Sequence, residues 1–183
     1  MSRYGVSAEE IKRKKPWAIT VELLSLETEK LGYSAMFASD LYLAAMATLL
    51  GKPISGLESA EEQIAVFDRM SDEEQRASLE ETLDALEDGR GKAEIEAVAI
   101  AWANADPAAL ATGLEKAVAD APPGVRALQK RLFDQRNVLM AERIEAIVRS
   151  GQPAFVAVGA AHLVGRDSVV DLLRKRGLTV REP

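Results

Sequence analysis

The chain has 183 residues, of which 48% are hydrophobic and 28% charged, and its formal net charge is −6. This length suits one domain with a sizeable core, and the acidic balance argues against a nucleic-acid partner. The chain has no cysteine, which excludes disulfides, thiolate zinc sites and cysteine nucleophiles. No apolar stretch approaches the roughly 20 residues of a membrane span. No apolar h-region of a signal peptide follows the first residues.

The first part of the chain predicts three helices. Ser7 precedes two acidic residues and predicts a helix start, and Pro16 predicts the start of a second helix. The third helix spans the apolar residues 40–50, with Asp40 as its N-cap or as an acid of its first turn. The predicted buried face of the second helix carries Trp17, Val21, Leu24 and Thr28.

A short strand over 53–58 is predicted to lead into the most helical part of the chain. The S-x-x-E pattern at Ser59 is a capping-box start, and Ser71 and Asp106 supply further starts. Trp102 belongs to an apolar stripe at helical spacing, which predicts a core position. The predicted helices cover 59–69, 71–88, 92–104, 107–119 and 128–148. The last of these is predicted to turn Leu132, Leu139, Ile144 and Ile147 inward.

The C-terminal segment contains the only histidine. A valine-rich apolar run over 154–158 predicts a buried strand. His162 follows it as Gly-x-x-His, so it is expected at the carboxyl end of a strand, where open α/β sheets place their ligands. A helix over 163–175 and a final strand over 178–181 complete the predicted order.

This order predicts an α/β fold with a small, mainly parallel sheet and a helix-rich composition overall. Residues 1–183 form a single predicted domain, with a large helical insertion at about 59–149. About three strands are visible, and a parallel sheet is normally wider and covered on both faces. An exposed sheet edge invites pairing with another chain, so the sequence predicts a possible homodimer through that edge.

Four polar residues are candidates for chemistry. Glu58 and His162 each follow a predicted strand, and together they could bind a divalent metal or act as a base and its partner. Arg136, in a helix, could hold a carboxylate or an oxyanion, and Asn137 beside it is expected to form a hydrogen bond, structural or otherwise. The structural alternatives stay open: a helix cap for Glu58, a salt bridge for Arg136, and a turn or core position for His162.

A series of segments, in this order along the chain, carries a family resemblance. They are Lys15-Pro16-Trp17, Asp40 to Ala44, Gly51 to Glu58, Glu62-Gln63, Ala101-Trp102, Arg136-Asn137, Val158 to Gly165, Leu172-Leu173 and Gly177 to Val180. Together they resemble the TraB/GumN family, which is related to the Tiki proteases and more remotely to erythromycin esterase and ChaN-like proteins. Members of this family look like hydrolases built around two Gly-x-x-His motifs, and the Tiki proteins are metal-dependent peptidases.

The resemblance implies roles for individual residues. His162 matches the histidine of the second motif, with Gly159 at its start, and Glu58 matches a site carboxylate, so these two would hold a divalent metal such as Mn, Co or Zn. Arg136 and Asn137 match a helix-borne polar pair. Asp40 matches a recurring acid, expected to have a structural or supporting role.

The chain departs from the family pattern in having no second histidine. It is therefore expected to begin inside the family fold, after the first motif and two strands, and any leader would lie upstream. The sequence predicts a metal-dependent, peptidase-like hydrolase that is weak or inactive as this chain alone. The alternative is a non-enzymatic module that binds a peptide or a small-molecule ligand.

Overall fold

The computed structural model describes Tyr4 and residues 7–181. The described residues form α-helices α1 (Ala8–Lys12), α2 (Pro16–Lys30), α3 (Ser39–Leu49), α4 (Ala60–Asp68), α5 (Asp72–Asp88), α6 (Arg90–Ala103), α7 (Pro107–Asp120), α8 (Pro123–Lys130), α9 (Arg136–Arg149) and α10 (Val169–Lys175). Single turns of 3₁₀-helix lie at Ala35–Phe37 and Ala160–His162, and a π-helical turn at Arg131–Gln135 joins α8 to α9.

The prediction of an α/β fold is wrong for the part of the chain that the structure describes, which contains no strand or sheet. An extended segment becomes a strand only when a second backbone lies alongside and exchanges hydrogen bonds with it. The segments 53–58, 154–158 and 178–181 have no such partner among the described residues. The sheet edge through which a homodimer was expected is therefore absent from that part of the chain.

The three segments nevertheless converge on one hydrophobic core. This core is formed by α9 and α10, and its buried members are Met140, Ala141, Ile144, Val169 and Leu173. The segments pack against it through Leu57, Val156, Val158, Leu178 and Val180. Only part of each segment is covered, since Ile54 and Phe155 are 59% and 80% exposed, so the buried strand predicted over 154–158 is wrong in its burial as well as in its pairing.

The predicted helix starts are confirmed where the signal is local. Ser7, Ser59 and Ser71 each accept a hydrogen bond from the amide of the glutamate three residues later, whose side chain accepts from the serine amide in return. Pro16 and Pro107 occupy the first positions of α2 and α7. The hydrogen bonds of the three serine–glutamate pairs satisfy backbone amides that have no partner within the helix.

The predicted buried face of α2 is wrong. Val21 and Leu24 are exposed, and the residues that face the core are Ile19 and Leu23, which pack with Leu86 of α5. Apolar residues lie on several faces of α2, so its sequence has no single apolar stripe to choose the buried side. The packing of α2 against α5 determines which side of α2 is buried.

The C-terminal helices also differ in part from their prediction. The helix predicted over 128–148 is confirmed as a continuous helical path from α8 to α9, with Ile144 buried, but Leu139 is exposed. The helix predicted over 163–175 is shorter, because α10 begins only after the Ser168 cap. The segment before it is the loop that carries the candidate site.

Apolar side chains of α3 and of the end of α6 are among those that stay in contact with water in the described structure. No residue of α3 is buried. Trp102, predicted to lie in the core, is 59% exposed at the end of α6. None of the described helices is long and apolar enough to cross a membrane.

Candidate functional site

His162 lies at the end of the short 3₁₀ turn Ala160–His162 and is buried. Its amide donates to the carbonyl oxygen of Gly159 at 2.9 Å, which closes the turn. A Cβ atom at Gly159 would lie 3.6 Å from Cδ2 of the imidazole, an ordinary contact distance. The turn therefore brings Gly159 against the ring without requiring glycine there.

Asn137 orients the imidazole. Its Nδ2 donates to the carbonyl oxygen of Asp167 at 2.9 Å, which leaves Oδ1 facing the ring. Nδ1 of His162 lies 2.6 Å from that Oδ1. Because an amide oxygen can only accept, Nδ1 carries the proton, and the lone pair of the neutral ring is on Nε2. The hydrogen-bonding role predicted for Asn137 is thus found in the structure.

Glu58 and Arg136 form a buried ion pair beside this imidazole. Nε of Arg136 donates to Oε1 of Glu58 at 2.8 Å, and Nη2 donates to Oε2 at 2.6 Å. The side chains are 5% exposed for Glu58 and 19% exposed for Arg136. Glu58 does not cap the following helix, since Ser59 has that role. We call Glu58, Arg136, Asn137 and His162 the His162 cluster.

The surroundings of His162 keep the imidazole neutral. Burial is the main cause that lowers its pKa below 6.5, and the positive charge of Arg136 lowers it further. The negative charge of Glu58 acts in the opposite direction. The ring also lies against Phe133, with 5.3 Å between the ring centroids. A neutral imidazole can accept a proton or bind a ligand through Nε2.

Two further residues hold the cluster in place and were missed by the sequence reasoning. Arg143 donates to the carbonyl oxygen of Leu57, next to Glu58, and forms a two-point ion pair with Glu62. This ion pair, together with the hydrogen bond from the amide of Ser59, lowers the pKa of Glu62 to about 2. Arg143 lies seven residues after Arg136, two helical turns along the same face of α9, and this spacing is the signal that could have identified it. Asp167 contributes through its backbone, for which the sequence carries no signal.

The structure therefore brings four of the six predicted site residues into direct contact in pairs, with Gly159 beside them. Asp40 is not one of them. It lies in the first turn of α3, as one of its predicted roles required, and is exposed. None of the hydrogen bonds or ion pairs of the His162 cluster involves Asp40.

The donor set of the cluster does not fit a complete metal site. His162 offers one nitrogen, and both carboxylate oxygens of Glu58 are engaged by a guanidinium that would also repel a cation. A catalytic zinc ion usually has three protein ligands. In the described ranges, no group of three or more His, Cys, Asp or Glu residues is placed to hold a metal.

Two of the comparisons with known proteins match nearly the whole chain. The model of the TraB/PrgY/gumN family matches residues 1–182. Two relatives, both called "Uncharacterized protein YbaP", come from Escherichia coli (strain K12) and Shigella flexneri, and each is 28% identical over 170 residues. The alignment covers 93% of this chain and 60% of each relative, so the chain spans about 60% of their length. No solved structure matches the chain.

Proposed function

Because the chain belongs to the TraB/PrgY/gumN family, we propose that the His162 cluster is a hydrolase-type site for a peptide or a small-molecule ligand with a carbonyl group. We further propose that this chain alone turns such a ligand over weakly or not at all. The observation that carries the proposal is the neutral His162, oriented by Asn137 and flanked by the Glu58–Arg136 ion pair.

The chemistry that this geometry supports is general-base catalysis. Nε2 of His162 has a lone pair and a pKa below 6.5, so at neutral pH it can accept a proton from a water molecule that attacks a carbonyl carbon. Arg136 keeps a positive charge near the ring, which favours the negative charge that develops on the carbonyl oxygen. Asn137 keeps the proton on Nδ1 throughout.

The same contacts explain why weak turnover is expected. Glu58 is committed to Arg136 and is therefore a poor second acid or metal ligand. A divalent metal such as Mn, Co or Zn would find His162 as one donor, and the described residues offer no complete set around it. A base without a second catalytic group contributes a modest acceleration, typically about 10²–10⁴-fold.

The second candidate is a binding or regulatory module without turnover. It is favoured by the engagement of both oxygens of Glu58, which makes the ion pair resemble a structural anchor for the loop before α4. The two candidates share the ligand and differ only in whether its bond is cleaved.

The test is a peptide-hydrolysis assay followed by mass spectrometry, with Mn, Co or Zn and with chelator. We expect slow, His162-dependent cleavage or binding without cleavage. The variant His162→Gln retains a donor toward Asn137 but lacks the base, so it should abolish cleavage and retain the fold. Rapid metal-stimulated cleavage by the chain alone would contradict the proposed weak turnover. Light scattering on the same samples shows whether metal brings two copies together.

A further inference from the structure

The helix α3 and the turn before it expose apolar side chains to water. None of the residues of α3 is buried, and its most extensive packing is against the preceding turn Ala35–Phe37. Within α3 only Asp40 is charged, and a helix that is apolar around most of its circumference normally lies in a protein interior. The exposed large apolar residues of this region, which we call the α3 patch, are Met36, Phe37, Leu41, Tyr42, Leu49 and Leu50.

The exposed side of α3 has a pattern that is symmetric about Ala45. Met46 and Ala47 are the two residues of α3 that are partly covered. Because successive residues of a helix are about 100° apart, the side turned away from them carries Leu41, Ala45 and Leu49. All three are exposed. A small residue between two large ones allows a second helix to approach closely at the centre of this side.

Two antiparallel copies of α3 that cross at Ala45 would complement each other. Leu41 and Leu49 lie four residues before and after Ala45, so Leu41 of each copy would meet Leu49 of the other. A residue on the axis of a two-fold interface meets itself, and the small Ala45 leaves room for that contact. The same symmetry brings Phe37 of one copy near the exposed Lys52 of the other, and an ammonium group over an aromatic ring is a favourable contact.

The chain exposes more surface than a compact monomer of its mass. Its accessible surface is 12254 Å², whereas a folded monomer of 19.8 kDa is expected to expose about 8,600 Å². The surplus exceeds the roughly 1,000–2,500 Å² that each partner buries in an obligate dimer. The exposed fractions of the six side chains of the α3 patch amount to about 400–700 Å². A standard interface buries about 800 Å² per partner, of which about 500 Å² is apolar, so the α3 patch is large enough for a stable dimer.

We propose that two copies of this chain form an antiparallel, two-fold symmetric dimer through the α3 patch. The symmetric pattern about Ala45 favours a second copy over an unrelated protein. A membrane surface fits less well, because interfacial helices have a polar face rich in lysine and arginine, and the one charged residue of α3 is acidic. This dimer differs from the one predicted at a sheet edge, since it uses the side chains of a helix, and it is independent of the proposed function.

The first test measures the solution mass by light scattering, with chelator present. We expect twice 19.8 kDa for the unsubstituted chain at micromolar concentration. Ala45→Glu places two carboxylates face to face on the two-fold axis, so it should weaken the dimer at least about tenfold. Ala44→Glu is the matched control, because Ala44 is equally exposed but points about 100° away around the helix. It should leave the mass unchanged, and circular dichroism checks that both variants keep the fold.

The second test uses the absence of cysteine from the chain. Ala45→Cys supplies one thiol per copy on the two-fold axis, where the two Cβ atoms can reach the separation of about 3.5–4.5 Å that a disulfide needs. Mild oxidation should therefore link Ala45→Cys into a covalent dimer much faster than Ala44→Cys. Leu41→Cys should link slowly to itself, because only a parallel pair would bring Leu41 to Leu41.

A monomer at every concentration up to about 100 µM, or a dimer whose mass is unchanged by Ala45→Glu, would overturn the inference. So would a monomer that floats with vesicles of phosphatidylcholine and phosphatidylglycerol and is released by Ala45→Glu, since the α3 patch would then bind lipid. Rapid self-linking of Leu41→Cys would reject the antiparallel arrangement. His162→Gln should keep the dimer, so failure of the proposed hydrolysis and failure of this interface are distinguishable.

Discussion

Removing the carboxylate of Glu58 is expected to destabilise the fold strongly. Glu58→Gln leaves the guanidinium of Arg136 largely buried without its counter-charge, because Glu58 is 5% exposed and accepts both hydrogen bonds. Breaking a buried ion pair by removing one partner costs about 3–5 kcal/mol. This is a large part of the roughly 5–15 kcal/mol that stabilises a typical domain. Urea unfolding followed by circular dichroism measures the loss directly.

A solvent-exposed pair supplies the comparison. Glu9 and Lys12 are 72% and 70% exposed, so Glu9→Gln should cost less than about 1 kcal/mol. The double variant Glu58→Gln with Arg136→Met should cost less than the sum of the two single variants, because it leaves no unpaired charge behind. If Glu58→Gln costs no more than Glu9→Gln, the ion pair is not buried in solution and the reasoning fails.

The remaining predictions concern the imidazole and its loop. Proton NMR of the single histidine should give His162 a pKa below 6.5, and Glu58→Gln should lower this pKa further, since Glu58 raises it; a value above 6.5 contradicts the burial. The unfolded chain binds this proton at a higher pH than the folded chain does. The free energy of unfolding should therefore fall as the pH drops below 6.5, and the urea midpoint of His162→Gln should not show this fall. Asn137→Ala should cost about 1–3 kcal/mol and speed amide hydrogen exchange around Asp167, whereas unchanged exchange would mean that Asn137 does not hold the loop. Ala105 has a positive φ of 50°, so Ala105→Gly should raise Tm by about 2–4 °C by relieving about 1 kcal/mol of strain, and a lower Tm would show that the residue is unstrained.

The part of the structure that the sequence predicts well is the part that depends on neighbours within one helical turn. The capping boxes at Ser59 and Ser71 form as predicted, because serine and the glutamate three residues later are brought together by the helix itself. The same holds for the proline starts of α2 and α7. The candidates Glu58, Arg136 and His162 were chosen from the sequence pattern, and the family resemblance then implied their roles. The structure brings Glu58 to Arg136 although 78 residues separate them.

Features that depend on distant contacts were decided by the tertiary structure alone. The extended segment 154–158 has the apolar pattern of a strand, but in the described structure no second backbone lies alongside. Val156 and Val158 pack on α9 and α10 instead, and Phe155 stays exposed. The buried face of α2 was chosen by its contact with α5. Trp102 lines an open groove whose other side is formed by residues from the C-terminal part of the chain, which its own helix cannot predict. The local sequence determines which backbone conformations have low free energy in each segment. The burial of side chains and the pairing of backbones depend on which other segments lie nearby.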